Sequence, residues 1–94
     1  MPNSKLIAVF LTLSPAETRE LALVMQLHKN SAPFKLFQLL HQLHTSGKLD
    51  DYNRSSAFLI VFPGSNYDDQ RMRLVDSNLL EIIESFLIEL FIRQ

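Results

Sequence analysis

The sequence predicts an all-α domain, a small five-helix bundle with a long carboxyl-terminal helix. Residues 66–94 contain neither glycine nor proline, and their apolar side chains recur at three- and four-residue intervals over about 25 residues, roughly 37 Å of helix. Four shorter apolar segments precede it, separated by proline, glycine or polar residues. No second convincing strand exists with which a lone strand could pair. The expected helices span residues 4–13, 15–29, 33–46, 55–62 and 68–93.

Composition restricts the classes to which the protein can belong. Ninety-four residues suit one domain, 1–94, and 47% apolar with 20% charged residues predict a folded chain. The net charge of −1 and the scattered cations leave no basic stripe for nucleic acid. The absence of cysteine excludes disulfides, thiolate metal sites and cysteine nucleophiles. It fits a reducing compartment, so we expect a cytoplasmic protein.

The first segment, residues 4–13, is interpreted as a short and largely buried helix. Its apolar residues cover most of the helix circumference, at Leu6, Ile7, Ala8, Val9, Phe10, Leu11 and Leu13. A buried strand and the core of a signal peptide are the alternatives. The run is too short to span a membrane, which takes about 20 residues.

The second helix has the most specific local signal in the chain. Ser14 can cap its first turn, Pro15 suits the first helical position, and Glu17 completes a capping box. One face of this helix is expected to hold four residues, Leu21, Val24, Met25 and His28.

The third helix begins near Ser31, with Pro33 in its first turn, and ends at Gly47, which can take the left-handed conformation. Its expected inner face comprises Phe34, Phe37, Leu40 and Leu43, flanked by Leu36 and Leu39.

The fourth segment, residues 55–62, has the composition of a strand but the context of a helix. We expect a helix capped by Ser55 or Ser56 and ended by Pro63 and Gly64.

The long helix follows a turn. Asp68 and Asp69 stand where negative charge meets the positive end of the helix dipole. Its expected inner face comprises Met72, Val75, Leu79, Ile82, Ile83, Phe86 and Leu90.

Several motifs occur in a distinctive order. They are Leu13-Ser14-Pro15-x-Glu17, Leu36-Phe37-x-Leu39-Leu40, Phe62-Pro63-Gly64, Tyr67-Asp68-Asp69-Gln70-x-x-Arg73 and Ser77-x-Leu79-Leu80-x-x-x-Glu84-x-Phe86-Leu87. Together they span most of the chain, and the chain resembles the amino-terminal region of a family of long, uncharacterised helical proteins from Bacteroidota. The resemblance implies a helical fourth segment and a chain that continues past Gln94. No activity or catalytic residue is assigned to the family, so nothing catalytic carries over. The chain departs from the family between Ala22 and Pro33.

The last turns of the long helix are apolar on nearly every side. Leu87, Ile88, Phe91 and Ile92 leave few polar positions, and such a helix must be covered all round. We therefore expect an interface formed by these four residues, covered by a second copy or by downstream helices of a longer chain. The alternative is that the first helix folds over them.

Metal and cofactor sites have little support. His41 and His44 lie three residues apart on a helix, but a third ligand is missing nearby, and His28 is distant in sequence. The carboxylates Asp50, Asp51, Asp68 and Asp69 lack the spacing of a calcium loop and are interpreted as turn and cap residues. We expect no metal and no cofactor.

An enzyme is not expected, because no serine lies in a strand-to-helix elbow and no acid–base constellation can be assembled. The function predicted is a non-enzymatic protein–protein interaction or scaffold module. The alternative is a small DNA-binding regulatory domain acting through Lys35, Arg71 and Arg73.

Overall fold

A computed structural model of the chain describes residues 5–93. Within that range the fold is all-α, as predicted, with five α-helices and no strand. The helices are α1 (Lys5–Leu11), α2 (Pro15–Met25), α3 (Ala32–Thr45), α4 (Arg54–Val61) and α5 (Asp69–Arg93), with 3₁₀ turns at Gln26–His28 and Leu49–Asp51. The fourth segment is therefore a helix rather than a strand.

Two helices organise the bundle. The 25-residue α5 packs against α1, α2 and α3, and α3 also packs against α4. The core lies where these helices meet, and the molecule extends 44 × 26 × 20 Å. Its most deeply buried large side chains are Phe10, Leu21, Met25, Leu36, Leu40, Phe58, Met72, Leu79 and Ile83.

The predicted capping box is confirmed. The Ser14 hydroxyl accepts a hydrogen bond from the Glu17 backbone N–H at 3.1 Å, and the Glu17 carboxylate accepts one from the Ser14 N–H at 2.8 Å. Ser31 caps α3 in the same way, accepting from the Phe34 N–H at 3.2 Å. These bonds satisfy backbone donors that a helix start leaves unpaired.

The predicted cap of α4 is wrong. Asn53, rather than Ser55 or Ser56, is the capping residue, and its side-chain oxygen accepts from the Ser56 N–H at 3.1 Å. The helix begins at Arg54, so both serines already lie within its first turn. Past the end of α4, Gly64 takes a φ of +83°, which glycine adopts at no steric cost.

The first helix is shorter and less covered than predicted. It ends at Leu11, where the Thr12 hydroxyl donates to the Val9 carbonyl oxygen at 2.6 Å. Leu13 is buried although it lies outside the helix, whereas Ala8 and Leu11 are exposed. The prediction of a largely buried helix is wrong, because α1 buries only the face that holds Leu6 and Phe10. Residue 4 lies outside the described range.

The second helix also ends early, at Met25 instead of residue 29. A 3₁₀ turn has about 3.0 residues per turn instead of 3.6, so it rotates later residues away from the face set by the α-helix. His28 is accordingly exposed and does not share the buried face of Leu21 and Met25. Asn30 then reverses the chain with a φ of +71°.

The remaining boundaries lie within one residue of their predicted positions. Gly47 follows α3 with a φ of +73°, as predicted. The inner face of α3 differs in detail, since Leu36 is fully buried and Leu43 only half-buried. Asp68 caps α5, accepting hydrogen bonds from the Gln70 and Arg71 backbone N–H groups.

Candidate functional site

The carboxyl-terminal end of α5 is flanked by two helices. The Lys5 ammonium of α1 lies 3.5 Å from the Glu84 carboxylate. On another side, the Arg93 guanidinium lies 2.7 Å from the Glu20 carboxylate of α2. These ion pairs mark how far α1 and α2 reach along α5.

Three of the four predicted interface residues are exposed on the part of the α5 surface that these helices leave uncovered. Ile88 is 61% exposed, Phe91 81% and Ile92 74%, and their spacing of three and four residues makes them neighbours on the helix. We call Ile88, Phe91 and Ile92 the apolar end patch. Leu87 differs, because it is half-buried and packs against the core.

The first helix does not cover the apolar end patch. It is only seven residues long, and Leu6 and Phe10 direct its buried face into the core. Leu11, at its end, is itself half exposed. The alternative in which α1 folds over the last turns of α5 is therefore wrong.

A groove runs between α2 and α5 beside the apolar end patch. Its volume is about 310 Å³. Val24 of α2 and Ile82 and Phe86 of α5 supply its apolar lining. The polar lining comprises His28, Glu81, Ser85, Glu89 and Arg93. Sequence reasoning missed this groove, because the distance between two packed helices leaves no pattern in a single sequence. The only related signal is Ser85, a small side chain on α5 that lines the groove.

Only some of the charged side chains that line the groove have an ion-pair partner. Within residues 5–93, Glu81 and Glu89 have no ion-pair partner, whereas Arg93 is paired with Glu20. Both unpaired carboxylates are exposed. The site therefore combines apolar surface with acidic side chains and one arginine.

A second polar cluster ties α4 to the start of α5. The Arg54 guanidinium contacts the Asp76 carboxylate and lies 3.4 Å from that of Asp69. The Tyr67 hydroxyl donates to Asp69 at 2.8 Å, and this hydrogen bond lowers the pKa of the Asp69 carboxyl. Burial raises the pKa of Asp76, against the opposing effect of Arg54. Arg54, Asp69 and Asp76 are intermediate in exposure, and only Tyr67 of this cluster is exposed. Because the contacts of the cluster join α4 to α5, its role is structural.

The cations of the DNA-binding alternative take part in contacts within the chain. The Arg71 guanidinium lies 4.0 Å from the centre of the Phe62 ring, and Arg73 lies 2.7 Å from the Asp69 carboxylate. Lys35 is partly buried on α3. Nothing in this arrangement favours a nucleic-acid surface, and DNA binding stays an untested prediction.

The histidines pack against aromatic rings. His41 stacks on Phe37 with ring centres 5.8 Å apart, and His44 meets Phe10 edge-on at 5.8 Å. His28 is exposed beside the groove. Across residues 5–93, no three histidine or acidic side chains come together as a metal site.

No protein family, curated protein or solved structure shows significant similarity to this chain. None of the helices in the described part of the chain is long and apolar enough to cross a membrane.

Proposed function

We propose that this chain is a non-enzymatic protein–protein interaction or scaffold module. Its binding surface is the apolar end patch, with Leu87 supporting the patch from the half-buried side of α5. Its partner is helical and contacts the last turns of α5. The proposal keeps the expectation that the chain is the amino-terminal part of a longer helical protein, and it places the protein in the cytoplasm.

One observation supports this proposal above the others. Three large apolar side chains project side by side from the end of the longest helix, although core positions on the same helix are fully buried. Scattered exposed apolar residues are normal on protein surfaces, whereas adjacent ones indicate an interaction site. Full burial of each such side chain against a partner is worth about 1.5–3 kcal/mol.

Phe91→Asp tests the proposal, with Leu74→Asp as its matched control. Leu74 lies on the same helix, is 61% exposed, and stands at the opposite end from the apolar end patch. We expect the wild type to self-associate or to be retained on a phenyl resin. Phe91→Asp is expected to abolish this behaviour with an unchanged helical circular-dichroism spectrum, and Leu74→Asp to retain it.

Two results would contradict the proposal. Loss of helical signal in Phe91→Asp would place Phe91 in the core. Equal association and equal resin retention of the wild type and both variants would remove the apolar end patch as a binding surface.

A further inference from the structure

A cavity of about 270 Å³ lies between the start of α2 and the end of α3. Arg19 of α2 and His41 and His44 of α3 line it together, and Leu13 and Pro15 supply apolar surface. No aspartate or glutamate among residues 5–93 lines this cavity. It therefore combines three basic side chains with an apolar wall, without an acidic side chain to neutralise them.

Arg19 differs from the other arginines of the chain in its contacts. The guanidinium groups of Arg54, Arg73 and Arg93 each form an ion pair with a carboxylate. The guanidinium of Arg71 lies over an aromatic ring. Within residues 5–93, Arg19 has neither kind of contact. Its exposed guanidinium therefore keeps its N–H donors available for a ligand in the cavity.

The two histidine rings of the cavity are held in place by the core. His41 stacks on Phe37, and His44 meets Phe10 edge-on. The Nδ1 atom of His41 is buried and has no hydrogen-bond partner within residues 5–93, which is rare for a buried polar atom. A histidine can donate an N–H in either protonation state. Both rings are therefore positioned in advance, and His41 has unused hydrogen-bonding capacity.

A neighbouring cavity shows that the positive charge is local. This second cavity has a volume of about 410 Å³ and also lies between α2 and α3, with His41 in the wall of both cavities. Its other polar lining consists of uncharged glutamines, Gln26, Gln38 and Gln42. Since α3 contains no acidic residue, no carboxylate of that helix offsets the charge of Arg19. An anion is therefore favoured in the smaller cavity and not in the larger one.

We infer that the cavity lined by Arg19, His41 and His44 binds a small organic carboxylate that has an apolar body. The planar guanidinium fork matches a carboxylate, which accepts two parallel N–H bonds from it. The histidine N–H groups supply further donors. A metal cation is disfavoured, because Arg19 repels it and no carboxylate lines the cavity to ligate it.

The size of the cavity restricts the ligand further. Its volume lies below the roughly 300–1,000 Å³ of sites for drug-sized molecules, so the ligand is small. Leu13 and Pro15 form the wall against which its apolar body packs. No residue of the apolar end patch lines the cavity, so this binding site is additional to the proposed interaction surface.

Titration with benzoate, followed through the backbone amide signals in NMR spectra, tests the site. Benzamide has the same shape as benzoate without the charge, and acetate has the charge without the ring. At about pH 7 and about 0.15 M salt, benzoate is expected to shift the signals around residues 19 and 41–45 with a dissociation constant of about 1 mM. Benzamide and acetate are each expected to bind about tenfold more weakly, because each lacks one of the two interactions.

Substitutions of the basic residues identify the groups that bind the carboxylate. Arg19→Gln is expected to raise the dissociation constant of benzoate about tenfold, because it removes the guanidinium. His44→Gln is a second variant at an exposed position and is expected to raise it about threefold. Lys29→Gln is the matched control, since it removes one exposed positive charge that does not line the cavity, and it is expected to bind like the wild type. Helical circular-dichroism spectra check that each variant is folded.

Several results would overturn this assignment. Equal binding of benzoate and benzamide would show that charge plays no part, and signal shifts confined to the larger cavity would place the ligand elsewhere. Equal affinity of the wild type, Arg19→Gln and His44→Gln would remove the basic side chains as its binding groups. An absence of any shift up to about 20 mM benzoate would remove the site altogether.

Discussion

Asp69 and Asp76 lie about two turns apart on α5 and both meet the Arg54 guanidinium, yet their pKa values shift in opposite directions. The hydrogen bond from Tyr67 stabilises the charged form of Asp69 and lowers its pKa. Asp76 is more buried, and its second carboxylate oxygen has no hydrogen-bond partner, so burial favours the neutral form. At the residue scale, a hydrogen bond at Asp69 and burial at Asp76 therefore shift the pKa values of two identical carboxyl groups in opposite directions.

Tyr52 gives a prediction at this scale. Burial, and then the charge of Asp76, raises the pKa of Tyr52 to about 12. The folded state thus holds this proton more tightly than the unfolded state. The resulting stability is fully present below about pH 10, the unfolded value, and is lost as the pH rises towards 12. Tyr52→Phe is expected to lose less stability than the wild type between about pH 9 and about pH 11.5.

Urea unfolding at the two pH values measures, for each protein, the change in the free energy of unfolding between them. Any effect of the substitution that does not depend on pH cancels in this comparison. Tyr67→Phe serves as the control, because it removes the other tyrosine of the sequence. An equal decline in the free energy of unfolding for the wild type and Tyr52→Phe would contradict the assignment.

At the scale of elements, side-chain caps set where the helices start. Ser14, Ser31 and Asn53 each accept a hydrogen bond from a backbone N–H in the first turn of their helix. The cap at Ser14 was readable from sequence, because a proline and a glutamate follow at the required positions. The cap at Asn53 was not, because three of the four residues 53–56, namely Asn53, Ser55 and Ser56, have side chains that can cap a helix.

Substitutions at this helix start distinguish the caps. Asn53→Ala is expected to reduce the free energy of unfolding by about 1 kcal/mol, since it leaves a backbone donor of α4 unpaired. Ser55→Ala, within the first turn, is expected to change it by less than about 0.5 kcal/mol, because alanine is a better helix former. Thermal or urea unfolding measures both, and the reverse order of effects would reassign the cap to the serine.

At the scale of the whole molecule, the packing around α3 and α5 determines which side chains are buried. The core positions of α5 are sealed by α1, α2 and α3 as far as their lengths allow. The last turns of α5 pass the seven-residue α1, and their outward side stays open. The apolar end patch therefore lies on a side of α5 that no other helix of the described chain covers.

Substitutions of two phenylalanines test which side chains belong to the core and which to the exposed surface. Phe58 is fully buried, whereas Phe91 is 81% exposed. Phe58→Ala is expected to cost about 3–5 kcal/mol of unfolding free energy, because it removes apolar contacts and leaves a cavity. Phe91→Ala is expected to change stability by less than about 0.5 kcal/mol, as at other exposed positions. Urea unfolding at dilute protein, where association is minimal, compares them, and similar losses in both variants would show that Phe91 belongs to the core.

The all-α class and five segments were predictable because the apolar spacing, the Ser14 capping box and the turn residues act locally. The boundaries at Leu11 and Met25 were less predictable. A 3₁₀ turn and an early reversal cost little locally, so packing of the neighbouring helices selects them. The exposure of Ile88, Phe91 and Ile92 was predictable, because the last turns of this helix carry apolar residues on more than one face. The half-burial of Leu87 was not predictable, because it comes from packing against the core.

The sequence by itself determined that the chain forms helices, where most of them start, and that the last one carries more apolar surface than a single face requires. These properties depend on residues within a few turns of one another. The tertiary structure decided which part of that surface stays open, that a groove lies between α2 and α5, and that Glu81 and Glu89 lack partners within residues 5–93. These properties depend on the relative lengths and directions of helices, which only long-range packing sets.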